Sequence, residues 1–281
     1  MEIIQFSHAN GFPGSTYGSL FSYLKDEYTI HYIDTLGHNP KYPVTNNWAL
    51  LSRELIEAIE GKQNISQNML SVKSVQPVIG IGHSLGASLS FFAAIQRPDL
   101  FKALILLDAP IFAFPKSQIV RFLKSIHRLY WVTPAGERTL LRRSHWPSYE
   151  SALQYFRTRS LFKNFSEAAL HDFVSYGTEA DNKGERVLKF DPKVEAEIYR
   201  TLPHNYADYK FKLTVPTIAI IGERSDISHG LDMRFMEKSF NIRLKRTAGG
   251  HLFPFEYPEK TAQIIKESIQ ELDAHHHKGQ R

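Results

Sequence analysis

The sequence predicts an α/β fold: a mostly parallel sheet flanked by helices and interrupted by an inserted helical segment. Short apolar runs bounded by turn residues recur with helix-period stretches between them, as expected of parallel strands joined by helical crossovers. Between Leu107 and Val215 that strand rhythm stops, and aromatic, basic, helix-leaning sequence replaces it. With 281 residues, 42% of them hydrophobic, the chain can bury a large core.

Taken in order, the strand-like runs fall at residues 3–7, 29–33, 78–82, 103–107, 217–221 and 241–244. The stretch 48–60 keeps Leu50, Leu51, Leu55, Ile56 and Ile59 near one helical face, and 257–272 does the same with Ile264, Ile265, Ile269 and Leu272. Residues 87–96 form a further helix, ended by Arg97-Pro98. The polar stretch 61–76 reads as loop or weak helix, and 274–281, with three consecutive histidines from His275 to His277, as a frayed, solvated tail. The expected division is a core of residues 1–110 and 206–281 with a helical cap at 111–205. The cap aromatics, including Phe112, Phe114, Tyr130, Trp131, Trp146, Tyr149, Tyr155, Phe156, Phe162 and Phe165, are expected mainly to form its own core. A minority are expected to line an apolar pocket.

Composition narrows the function classes. No cysteine is present, which removes disulfides, thiolate metal sites and a cysteine nucleophile. No run approaches the roughly 20 apolar residues of a membrane span, and the amino terminus opens directly into a strand-like run, so a soluble, cytoplasmic protein is expected. The formal charge of +5 arises in the middle segment, where residues 111–205 carry 15 Lys and Arg against 10 Asp and Glu. Within 111–163 only Glu137 and Glu150 oppose ten basic residues. This basic segment reads as a solvated face, as a site for an anionic substrate, or as a match for an anionic membrane surface. No nucleic-acid-binding module accompanies the charge. No histidine and carboxylate cluster stands at ligand spacing and no phosphate loop follows a strand, so neither metal nor nucleotide cofactor is expected.

One short stretch carries chemistry. Gly82-His83-Ser84-Leu85-Gly86 lies between a buried-type strand and a helix, the setting in which a G-x-S-x-G turn presents its serine at a strained corner. A serine hydroxyl is a weak nucleophile and requires a base and a group that orients the base. His251, in "TAGGHLFPFEYPE", follows the last strand, and Asp226, in "IAIIGERSDIS", lies a few residues past the strand before it. The set Ser84, Asp226, His251 then occurs in a workable chain order.

With "HANGFPG" near the start, "GHSLGA", "GERSD" and "GGHLFPFEYPE", the sequence resembles the α/β-hydrolase superfamily over nearly its whole length. The resemblance implies that Ser84 attacks a carbonyl carbon, that His251 shuttles the proton, that Asp226 orients His251, and that water hydrolyses the acyl-enzyme. It implies oxyanion stabilisation by the backbone N–H of Leu85 and by a second donor in the "HANGFPG" loop. In this loop Ala9 and Asn10 separate His8 from Gly11, unlike the family's adjacent His-Gly. Phe12 is preferred as that donor, with Asn10 or Ala9 as alternatives. The chain starts at what would be the family's third strand. About six parallel strands are therefore expected, in spatial order second, first, third, fourth, fifth, sixth.

Asp108 in "ILLDAP" also ends a strand and is the alternative triad acid, read otherwise as fixing the loop where the insertion begins. Asp34, His38, His83 and His8 read as scaffold residues. The expected function is a serine hydrolase acting on a small-molecule carboxylic ester or thioester, without a cofactor and without integral membrane association. Cofactor-free haloperoxidases or perhydrolases and carbon–carbon bond hydrolases would use the same residues, and a non-catalytic ligand-binding protein would use the same pocket. Haloalkane dehalogenases and soluble epoxide hydrolases, as families, carry an aspartate where this chain has Ser84.

Overall fold

The computed structural model describes residues 1–66 and 76–278. Strand β1 (Glu2–Ser7) leads through α1 (Gly18–Ser22) to β2 (Tyr28–Tyr32), which lies parallel beside it with Ile4 opposite Ile30. Helix α2 (Ala49–Ser66) precedes β3 (Val78–His83), which pairs with the other side of β1. Helix α3 (Leu85–Gln96) then connects to β4 (Phe101–Leu107), parallel to β3.

Next comes the inserted segment. It holds α4 (Phe114–Ser125), α5 (Ala135–Leu140), β5 (His145–Trp146), α6 (Tyr149–Arg157), α7 (Glu167–Tyr176), β6 (Thr178–Ala180), β7 (Arg186–Leu188) and α8 (Pro192–Arg200). Beyond the expected helices, β5, β7 and β6 form a small antiparallel sheet in that order. These strands are two or three residues long, too short for alternating hydrophobicity to show. The main sheet resumes with β8 (Thr217–Gly222) beside β4, then α9 (Gly230–Phe240), β9 (Arg243–Thr247), α10 (Phe253–Glu256) and α11 (Pro258–Lys278).

The spatial order is β2-β1-β3-β4-β8-β9, all parallel, as expected. Inner strands β3 and β8 are buried throughout, because helices cover both faces. The edge strand β9, "RLKRT", carries the basic residues that discourage further strand pairing. Alternate residues divide the core. Leu104, Leu106, Ala219 and Ile221 pack with α2, α3 and α9, while Ile79, Ile81, Ile105, Leu107, Ile218 and Ile220 pack with α1 and α11. The strand order reverses between β1 and β3, so the carboxyl ends of these two strands open the crevice where open α/β sheets place their ligands.

Of the stretch expected as loop or weak helix, residues 61–66 extend α2, and 67–75 lie outside the described residues. The histidine run continues the backbone of α11, and its side chains lie outside the described residues. Among the described residues, no helix is long and apolar enough to cross a membrane.

The insertion is not built around a core of its own. Phe162, Phe173 and Trp146 join the same cluster as Phe12, Phe255 and the sheet, and Phe165 stacks on Phe255 at 4.8 Å. Val120, Leu123 and Ile198 join the opposite cluster. Three of the aromatics expected inside are instead outside: Phe114, Tyr130 and Trp131 are 56%, 40% and 62% exposed.

Candidate active site

Ser84 lies between β3 and α3 with φ 53° and ψ −111°, a conformation that non-glycine residues adopt only where the surroundings hold it. Two glycines make the corner possible. A Cβ on Gly86 would lie 2.0 Å from the Ser7 carbonyl oxygen, and one on Gly82 would lie 2.3 Å from the Gly86 oxygen. The turn is tied on both sides: Ser84 N–H donates to the Leu107 carbonyl at 2.9 Å, and Gly86 N–H to the His8 carbonyl at 3.1 Å.

His251 reaches this corner from the loop after β9. Its Nε2 is 2.9 Å from Ser84 Oγ, and its Nδ1 is 2.5 Å from Asp108 Oδ2. Because the carboxylate accepts at Nδ1, the proton of the neutral ring sits there, leaving Nε2 free to accept from the serine hydroxyl. The arrangement supplies a nucleophile, a base and an orienting acid.

The acid at His251 is Asp108, which corrects the expectation of Asp226. Asp108 is the first residue after β4. It is fully buried with φ 46°, and its N–H is pinned to the Ile220 carbonyl at 2.8 Å. Asp226 is exposed, four residues beyond the end of β8 on a loop that carries it out to solvent. The "GERSD" stretch contributes Ser225 instead, whose hydroxyl donates to Asp108 Oδ2. Sequence reasoning missed Ser225. The signal available was distance from the strand, since a residue abutting a strand end is placed more rigidly than one several positions into a loop.

The backbone N–H groups of the first loop differ in what they are free to bind. Phe12 N–H is committed to the Ala9 carbonyl at 3.1 Å, and the Phe12 ring packs against Phe255 at 5.0 Å. Ala9 N–H donates to Tyr17 Oη at 3.1 Å. Of residues 9, 10 and 12, Asn10 alone keeps its backbone N–H without an intramolecular acceptor among the described residues. The Leu85 N–H, at the first position of α3, is likewise without one, as the start of a helix leaves it.

Three buried groups hold these loops. Tyr17 Oη–H donates to His83 Nδ1 at 2.7 Å, and His83 Nε2–H donates to the His251 carbonyl at 2.8 Å, so the His83 ring is neutral. Burial, with His251 nearby, pushes its pKa well below the usual histidine value. His8 donates from Nδ1 to the Ala9 carbonyl and accepts from Leu36 N–H at Nε2, each at 2.8 Å. Burial lowers its pKa to about 4. Asp34 pairs with Lys189, and His38 Nε2 accepts from Asp191 N–H at 3.0 Å. Both therefore join the core to the insertion and stand apart from the serine.

Glu195 on α8 was not foreseen from the sequence. It is 5% exposed, pairs with Arg142, and accepts from Thr139 Oγ1 at 3.0 Å. Its carbonyl accepts from Asn10 Nδ2 at 3.0 Å. Gly11, with φ 80°, leaves the room it needs, since a Cβ there would lie 2.7 Å from Glu195 Cδ. Burial pushes the Glu195 carboxyl up in pKa against the lowering effect of Arg142. Arg143 stands differently: exposed, it donates to the His145 carbonyl at 2.7 Å and lies 5.6 Å from the Tyr155 ring. Among the described residues, no group of three His, Asp or Glu side chains converges to hold a metal ion.

A parallel sheet whose strand-to-helix corner presents a serine to a histidine defines the class of α/β proteins built for nucleophilic attack. The chain matches the alpha/beta hydrolase family over residues 6–264, and it belongs to that family. It is similar to a probable esterase of Oryza sativa subsp. japonica, with 30% identity over 110 residues. It is also similar to karrikin insensitive 2 receptor B of Petunia hybrida, with 32% identity over 108 residues. Each alignment spans 38% of this chain and 38% of the relative, so the chain covers well under half the length of these relatives. In structure it is similar to E-2-(acetamidomethylene)succinate hydrolase, with a TM-score of 0.72, 19% identity, and coverage of 96% of this chain and 91% of the other.

Proposed function

We propose that the protein is a serine hydrolase that cleaves a carboxylic ester or thioester through an acyl-enzyme. The observation that carries this reading is the 2.9 Å approach of His251 Nε2 to Ser84 Oγ, with Asp108 2.5 Å from Nδ1. Ser84 Oγ attacks the carbonyl carbon while His251 Nε2 takes its proton. The Asp108 carboxylate stabilises the imidazolium that forms. The Leu85 and Asn10 N–H groups receive the developing oxyanion. Collapse expels an alkoxide or thiolate, which His251 protonates. Water, deprotonated by His251, then attacks the acyl carbon and returns Ser84 with release of the acid. The insertion serves as the cap over this site.

The basic insertion does not by itself point to an anionic substrate. Arg142 is matched by the buried Glu195, and the Arg143 guanidinium lies over the Trp146 and Tyr155 rings, so both are already engaged within the insertion.

A fluorophosphonate probe is expected to label Ser84 in the folded protein, with Ser84→Ala unlabelled. An acyl-length series of p-nitrophenyl esters and acyl-CoA thioesters is expected to give turnover above the Ser84→Ala background for at least one member. Failure of labelling together with no turnover across the series would refute the assignment.

A further inference from the structure

Helix α4 has two apolar faces, and only one of them is used. Val120 and Leu123 are buried at 4% and 7% exposure against the core. Pro115, Ile119, Phe122 and Ile126 recur at i, i+4, i+7 and i+11, one line along the outer side, and all are exposed, Phe122 by 62%. Past the helix, Trp131 and Leu141 are exposed too, by 62% and 87%. Of the fifteen large hydrophobic side chains exposed among the described residues, nine fall between residues 114 and 141. Singly exposed apolar residues are normal, but a concentration of this kind marks a contact surface.

Along this segment the charge is predominantly basic. Residues 114–143 hold seven Lys and Arg and a single acid, Glu137, which is paired with Arg200. Arg121, Arg128 and Arg138 are exposed in the same segment, and the Arg128 guanidinium lies 5.9 Å from the Tyr130 ring. Apolar and aromatic tips ringed by arginines match the depth profile of a bilayer surface: hydrocarbon below, and anionic headgroups at the level of the cations. At 12 residues, about 18 Å, α4 is too short to span the roughly 30 Å hydrocarbon layer and suited to lie along its surface.

We propose that this face of the insertion docks the protein on an anionic lipid bilayer, with the outer side of α4 and Trp131 set into the headgroup boundary. The docking is independent of the chemistry at Ser84 and is read without turnover.

The protein contains three tryptophans, and Trp48 and Trp146 are buried at 2% and 1% exposure, so a change in indole emission on binding reports Trp131. Full-length protein is mixed with vesicles of phosphatidylcholine alone or of phosphatidylcholine with phosphatidylglycerol, and followed by co-sedimentation and fluorescence. Binding to the anionic vesicles is expected, with a blue shift that Trp131→Phe removes and that added salt reverses. Arg121→Gln with Arg128→Gln is expected to weaken binding about thirtyfold, from about 1 kcal/mol per basic residue at an anionic surface. Phe122→Ser is expected to weaken it about tenfold. Unchanged melting temperatures verify that these surface variants remain folded. No binding to anionic vesicles, or equal binding to phosphatidylcholine alone, overturns the proposal. So does a dimer in light scattering that Phe122→Ser dissociates and that ignores vesicles, because a second copy then covers the face.

Discussion

Asp108 and Ser84 share an unusual trait for residues with side chains: each stands immediately past a strand with a positive φ, at 46° and 53°. Such backbones are costly, of order 1–3 kcal/mol each, and persist only where neighbours fix them. Here the fixing bonds are Asp108 N–H to Ile220 and Ser84 N–H to Leu107. The expected consequence is a sharp asymmetry between two aspartates. Asp108→Asn should lower kcat on a p-nitrophenyl ester on the order of a thousandfold or more, because an amide in that place no longer imposes the required histidine tautomer. Asp226→Asn should leave kcat unchanged. Equal loss in both would reinstate Asp226 as the orienting acid. From sequence, Ser84 and His251 were legible because motif and strand context agreed. The acid was not, since both aspartates follow strand ends and only the backbone shows which one turns inward.

At the scale of elements, the four inner strands could be read from their apolar runs, since burial on both faces removes polar positions. Strand β9 was placed two residues early, because an edge strand written "RLKRT" carries its pairing in the backbone and not in its composition. The insertion's small sheet was invisible for lack of length. Helix α3 shows the tightest fit of one element on another, with Gly86 resting on the end of β1. Gly86→Ala would force a methyl group to 2.0 Å from a main-chain oxygen, which no side-chain rotation relieves. The expected cost is about 3 kcal/mol or more in urea unfolding, with loss of Ser84 labelling in whatever protein still folds. A variant of wild-type stability would show that the corner is looser than drawn.

At the scale of the molecule, the insertion and the sheet are one packed body joined by buried polar ties as well as apolar contact. The Asn10 side chain donates to the Glu195 carbonyl, and within the insertion the Arg142–Glu195 pair, with side chains 26% and 7% exposed, holds Glu195 in that place. Arg142→Ala leaves a buried carboxylate without its cation, and a loss of about 3 kcal/mol is expected. Adding Glu195→Gln, which removes that charge, should recover part of it. A double-mutant cycle in urea that found the two changes simply additive would mean that the pair contributes nothing. This tie was beyond the reach of sequence because its members are 53 positions apart, and only the folded chain brings α8 over the first loop.

Glu195 also ties the insertion to the first loop. The Glu195 carbonyl holds the Asn10 side chain, and its carboxylate fills the space that Gly11 leaves free. The insertion and the first loop are therefore tied at one place. An outward movement of α8 would have to part the Asn10–Glu195 hydrogen bond, and so would loosen the loop that carries the proposed oxyanion donor.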